Sequence, residues 1–294
     1  MWKSGKNGGR PIILGMLELR MKDWKILLAI VGMVAILGGI EIYVKQEGEK
    51  RPETRKEEIK VEDKEERIIW TFGVGADVHN DIEVLVKVMF EAEKRGEKMM
   101  ILAGDLTNEG KKAELIKIKK VLDESGMKYY VVPGNHDWWQ SDRDKTDYWS
   151  QVWGKNYQSF KVDKIKFILV DNGRWSGLGK VQKTWLEGEV GECRWVECVV
   201  VMHEPLEHTI STHVMGEDNK AVTVEAGWLK KLLVDNGVKE IFVGHLHYAS
   251  SYTIGGLKTN LVGAITSEKN YQVPRFTEVG VGESGWEEKV VEVE

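Results

Sequence analysis

The sequence predicts an α/β domain on a parallel core sheet, set behind a single membrane-spanning helix. Three observations predict it. From Ile68 onward, short apolar runs alternate with stretches of helical periodicity, the pattern of βαβ units. Clusters of Gly, Asp, Asn and His follow those runs, where the loops of an open α/β sheet converge. Ahead of them lie one long apolar stretch and a block of dense charge.

Residues 1–25 carry six Lys/Arg and two Asp/Glu. Residues 26–44, ILLAIVGMVAILGGIEIYV, hold one charge, Glu41. Nineteen helical residues span roughly 28 Å, close to a bilayer's hydrocarbon thickness. Arg20, Lys22 and Lys25 precede the run, which predicts a cytoplasmic N-terminus and an extracytoplasmic C-terminal domain. An uncleaved single-pass anchor fits better than a removed signal peptide, because no small-residue cleavage pattern follows the run. Met21 is an alternative start. Residues 45–67 hold eight basic and nine acidic groups and read as a solvated linker. The folded domain is then 68–294.

Within it, 68–74 is a short apolar strand, and 81–95 is a helix with Ile82, Leu85, Val88 and Met89 on one face. Residues 99–103 form a second strand. Residues 111–124 form an amphipathic helix with Leu115, Ile118 and Leu122 aligned. Residues 129–132 are a third strand, followed by an aromatic-rich loop with Trp138, Trp139, Tyr148, Trp149 and Trp153. Residues 160–162 and 165–170 read as a hairpin. Residues 197–201 and 240–243 are strands on either side of a helix at 226–236. Residues 248–254, 257–262 and the C-terminal stretch read as antiparallel strands.

Composition narrows the class. Hydrophobic residues make up 42% of the 294 positions, and net charge is −5. Residues 68–294 carry 28 basic and 35 acidic groups, which argues against a nucleic-acid polymer as partner. The two cysteines, Cys193 and Cys198, exclude a disulfide-dense scaffold and a four-cysteine zinc site. They read as a loop residue and a buried strand residue, with pairing outside the cytoplasm as the alternative.

The chemistry-bearing residues fall in five clusters. These are Asp77-Val78-His79, Gly104-Asp105-Leu106-Thr107-Asn108, Gly134-Asn135-His136-Asp137, His203, and Gly244-His245-Leu246-His247. Five of the seven histidines lie there. Asp77 with His79, and His245 with His247, are two residues apart, so in extended chain each pair points to one side. Each cluster alone is weak evidence, since Gly, Asn and Asp also build turns. His208 and His213 read as surface loop residues, with substrate contacts as the alternative.

The ordered set resembles the signature of calcineurin-like metallophosphoesterases across roughly residues 68–265. The resemblance implies a four-layer αββα sandwich with two metal ions at the strand ends, the ions being Mn, Fe or Zn. It implies that Asp77, His79, Asp105 and His247 hold one ion, and Asp105, Asn135, His203 and His245 the other. In-line attack by a metal-bridging hydroxide would then cleave a small or lipid-linked phosphoester, with His136, oriented by Asp137, stabilising the transition state or protonating the leaving group. The stretches at 104–108 and 170–190 are similar to the cyclic-nucleotide phosphodiesterase-like branch, although Glu204-Pro205 stands where that branch often has a second His. Asn108 stands where purple acid phosphatases have their tyrosine ligand. Two other readings are a non-catalytic scaffold of the same fold and a metal-dependent nuclease.

Overall fold

The alternation of apolar faces along each strand dictates a sandwich. The structure, a computed structural model, describes residues 67–283 and 285–294. The expected N-terminal region, membrane helix and most of the linker lie outside the described residues. Among the described residues, no helix is long and apolar enough to cross a membrane.

Eleven strands form two sheets among the described residues. The first holds β1 (Trp70–Gly75), β2 (Met100–Ala103), β3 (Tyr129–Val132), β10 (Arg275–Val281) and β11 (Trp286–Glu292), in the order β11-β10-β1-β2-β3. The second holds β4 (Gln158–Val162), β5 (Ile165–Val170), β6 (Glu197–Met202), β7 (Glu240–Val243), β8 (Ala249–Ile254) and β9 (Leu257–Val262), in the order β4-β5-β6-β7-β9-β8. The central pairings β1–β2, β2–β3, β5–β6, β6–β7 and β7–β9 are parallel. The β11, β4 and β8 edges are antiparallel, and β3 is a parallel edge.

Side-chain direction alternates along each strand. Ile101 and Ala103 of β2, with Phe167 and Leu169 of β5, fill the space between the sheets. Met100 and Leu102 point the other way, onto α1 (Ile82–Arg95) and α2 (Lys112–Glu124). Ile168 and Val170 of β5 point onto α5 (Gly179–Gly191) and α6 (Lys220–Asp235). The expected order of helices, sheet, sheet and helices is therefore present. Strands buried on both faces read as continuous apolar runs, and each such large side chain contributes roughly 1.5–3 kcal/mol when fully buried.

Several expectations are corrected. The aromatic stretch after β3 is two helices, α3 (Asn135–Asp144) and α4 (Tyr148–Val152). The sequence NHDWWQSDRD hides this, because only Asp137, Trp138 and Ser141 are buried. Helix α5 lacked an expectation of its own, although Gln182, Leu186 and Val190 line its inner face. Helix α6 starts at Lys220 rather than at 226. Cys193, in the turn Glu192–Arg194, is bonded to Cys198 of β6, so the alternative of a pair replaces two separate thiols.

Candidate metal centre

The parallel strands of both sheets end toward one edge, and their following loops carry the five clusters. Local backbone shape places the side chains there. Asp77, His79, Asn80, Asp105, His245 and His247 all have φ between 45° and 73°, six of the nine non-glycine residues in that region among the described residues. Asp, Asn and His tolerate the left-handed conformation better than most residues. The Asp77–His79 and His245–His247 pairs therefore converge through left-handed turns, not through the extended chain expected from their spacing. Glycine is required beside them. A Cβ on Gly104, whose φ is 87°, would lie 2.7 Å from the Gly134 amide nitrogen, and one on Gly134 would lie 2.2 Å from Asp105 Oδ1.

All seven expected ligands come together. Asp77, His79 and His247 offer atoms within 4.8 Å of one another, as do Asp105, His203 and His245. Asp105 Oδ2 stands 3.3 Å from His203 Nε2 and 3.6 Å from His79 Nε2, and so lies between the two groups. His79 Nε2 is 3.1 Å from His247 Nε2, and Asn135 Oδ1 is 3.1 Å from His203 Nε2. His203 Nδ1 donates to the Ala103 carbonyl at 2.8 Å, and His247 Nδ1 to the Lys269 carbonyl at 3.0 Å. A carbonyl can only accept, so in each contact Nδ1 carries a proton and Nε2 is the ring atom turned inward.

Electrostatics describe a site short of positive charge. Burial lowers His79 to about 4, despite the Asp105 carboxylate. Burial also lowers His245 and His247. Burial pushes Asp77 up to about 8, against the pull of His203. Burial disfavours the His203 imidazolium, yet the Asp105 and Asp77 carboxylates outweigh it and hold that ring at about 10. Imidazoles held neutral by burial, crowded carboxylates and inward ring nitrogens about 3 Å apart fit the binding of divalent cations, which would displace the proton that the carboxylates hold on His203.

His136 lies at the same edge. Its Nε2 is 3.9 Å from Asp105 Oδ2, and its amide donates to Asp105 Oδ1 at 2.9 Å. Its Nδ1 is held by the Asn108 carbonyl at 2.8 Å, and the Trp139 ring centroid lies 3.7 Å from its own. The expected orientation of His136 by Asp137 is corrected. Asp137 is fully buried and accepts from Leu106 N (3.1 Å), Thr107 N (2.9 Å), Thr107 Oγ1 (2.7 Å) and Gly134 N (3.0 Å). It clamps the loop after β2 to the start of α3. His213, read as a surface loop residue with a substrate contact as the alternative, lies over His245 with centroids 4.1 Å apart. A lone histidine in a polar loop gave no pattern by which to find it. The cleft above the centre encloses about 710 Å³, lined among others by Asp105, Asn135, His136, Trp139, His245 and His247.

The sandwich fold, with groups of candidate metal ligands gathered at the ends of its parallel strands, defines the class of protein. The sequence model of the calcineurin-like phosphoesterases matches residues 71–249, and the chain belongs to that family. Solved structures agree at the level of fold. A dimetal phosphatase from Danio rerio is 13% identical, with 78% of this chain and 100% of that one covered and a TM-score of 0.57. The purple acid phosphatase PPD1 from yellow lupin seeds is 12% identical, covering 76% of this chain and 51% of that one at a TM-score of 0.56. GAP50, the anchor in the inner membrane complex of Plasmodium, is 14% identical, covering 77% and 85% at 0.53. No curated protein matches the sequence.

Proposed function

We propose that the chain is a membrane-anchored phosphoesterase, its domain outside the cytoplasm, acting on small or lipid-linked phosphoesters. Asp77, His79, Asp105 and His247 would hold one metal ion, and Asp105, Asn135, His203 and His245 the other. The observation that carries this reading is the position of Asp105 Oδ2, within 3.6 Å of histidines from both groups. Oxygen and imidazole donors without thiolate suit Mn, Fe or Zn. When bound, such a pair of ions supplies Lewis acidity to phosphoryl oxygens and makes water a nucleophile near neutral pH.

The chain's own residues supply position and a proton. The Asn108 carbonyl accepts from His136 Nδ1, so Nε2 is the atom that carries or lacks the exchangeable proton. It faces the cleft, where it can donate to a phosphoryl or leaving oxygen. The buried ligand imidazoles keep their donor atoms fixed through carbonyl contacts. The Cys193–Cys198 bond supports an oxidising compartment, in line with the basic residues ahead of 26–44.

The test is turnover of bis(p-nitrophenyl) phosphate and p-nitrophenyl phosphate by the Mn-loaded chain, with Asp105→Ala as control. Turnover lost in the control supports the reading. A chain with neither bound metal nor turnover would instead be a scaffold of this fold.

A further inference from the structure

Strand β5 delivers no candidate ligand, although it lies beside β6 in the sheet. Three buried residues follow it, Asp171, Asn172 and Gly173. Each of them touches a segment that does carry a ligand. Asn172 is fully buried. Its Oδ1 accepts from the amides of His203 (2.9 Å) and Glu204 (3.0 Å), and its Nδ2 donates to the Glu204 carbonyl at 2.7 Å. A side-chain amide offers an acceptor and a donor together, and the reverse orientation would set NH2 against two N–H groups. The main chain leaving β6 is thereby held at two successive residues, and with it the root of the His203 ring.

Asp171 reaches the other way. Its Oδ1 accepts from Trp138 Nε1 at 3.1 Å, in the first turn of α3, the helix that begins with Asn135. Gln182 of α5 grips the Asp171 main chain at its N–H (3.0 Å) and its carbonyl (2.8 Å). Gly173 lets the loop lie against the start of the same helix. A Cβ there would stand 2.5 Å from the Gly134 carbonyl carbon and 2.8 Å from the Asn135 amide nitrogen. Among the described residues, the side chains of Asp171 and Asn172 make no hydrogen bond to the loops that carry Asp77, His79 or His247.

We propose that the loop 171–173 is a bracket that positions Asn135 and His203 together, with Asn172 as its principal positioning residue, and so sets the affinity of one metal position without the other. The inference rests on the two-metal reading above, in which Asn135 and His203 belong to the same donor group. Ligand distances at a metal tolerate only about 0.2 Å. Groups that hold a ligand in place, without touching the ion, change metal affinity by roughly 10–100-fold.

The test reads metal affinity rather than turnover. Mn would be titrated calorimetrically into the metal-free, detergent-solubilised full chain. Asn172→Ala should weaken one Mn dissociation constant at least roughly tenfold and leave the other nearly unchanged. The paramagnetic resonance spectrum of the loaded variant should pass from that of a coupled pair to that of an isolated ion. Trp138→Phe keeps an aromatic ring in the core, removes the donor to Asp171, and should weaken the same constant by less. Asn236→Ala removes a buried amide ahead of β7, at the opposite edge, and should lower Tm with both constants unchanged. Equal weakening of both constants in Asn172→Ala overturns the bracket, as does a folded Asn172→Ala with neither constant changed. If Asn172→Ala does not fold, Trp138→Phe decides, and unchanged constants there overturn the bracket. An unaltered chain that binds fewer than two Mn overturns it whatever the turnover. Two Mn bound by the unaltered chain, with one constant weakened in Asn172→Ala but no turnover of either nitrophenyl ester, would uphold the bracket and refute the hydrolase reading instead.

Discussion

Replacing Asp137 by asparagine separates a structural clamp from a catalytic partner. Asp137 accepts four hydrogen bonds, two on each oxygen: Thr107 N and Thr107 Oγ1 on Oδ1, and Leu106 N and Gly134 N on Oδ2. Asparagine keeps one oxygen and presents an NH2 where the other stood. If the NH2 faces Thr107, the hydroxyl can turn to accept, and only the Thr107 amide loses its partner. An unmet buried donor costs about 1–3 kcal/mol, and the remaining bonds lose the assistance of charge. The expected loss is therefore about 2 kcal/mol, or roughly 4–8 °C in Tm for a domain of this size. Asp137→Ala leaves all four donors unmet and should lose about 4 kcal/mol or more. Calorimetry gives the stability, and the pH–rate profile per folded molecule gives the second readout. The clamp predicts a lower Tm with a profile of unchanged shape. An unchanged Tm with a displaced profile would refute the reasoning and restore Asp137 as the partner of His136.

Two further substitutions probe strain and buried charge. Gly134→Ala places a methyl group 2.2 Å from Asp105 Oδ1 and 2.4 Å from the Asp105 amide. It should displace the carboxylate that lies between His79 and His203 and, on the proposed reading, lower bound Mn to less than two per chain, read by elemental analysis. Both side-chain oxygens of Glu97 are buried without a hydrogen-bond partner, and burial, with Glu278 adding, pushes its carboxyl up to about 7. A raised acid stabilises the fold most below its unfolded value near 4.5 and loses that contribution as pH rises through about 7. Glu97→Gln should therefore raise Tm by roughly 2–4 °C at pH 8 and change it little at pH 5, read by thermal melts.

Much of the site was legible because its chemistry admits few residue types. Five polar clusters after apolar runs placed Asp77, His79, Asp105, Asn135, His203, His245 and His247 at one edge. The backbone that aims them was not legible, since a left-handed Asp or His looks like any other in sequence. Asp137 was misassigned because it adjoins His136 in the chain. Both lie in the first turn of α3, where consecutive residues diverge around the helix axis and cannot face each other. As the third residue of that helix, Asp137 reaches back to its N-terminus, as acidic residues there often do. The aromatic helices escaped because Trp138 and Trp149 are buried while their neighbours are polar.

The two groups of donor atoms each draw on both sheets. One joins Asp77 and His79, after β1, to His247, after β7, and the other joins Asp105, after β2, to His203 and His245. Neither group is complete until the residues from 245 to 247 have been made. On the proposed reading, a fragment that stops before β7 would lack part of both donor sets. The proposed activity would then be a late event in the life of each molecule, possible only when the loop after β7 has met the loops after β1 and β2.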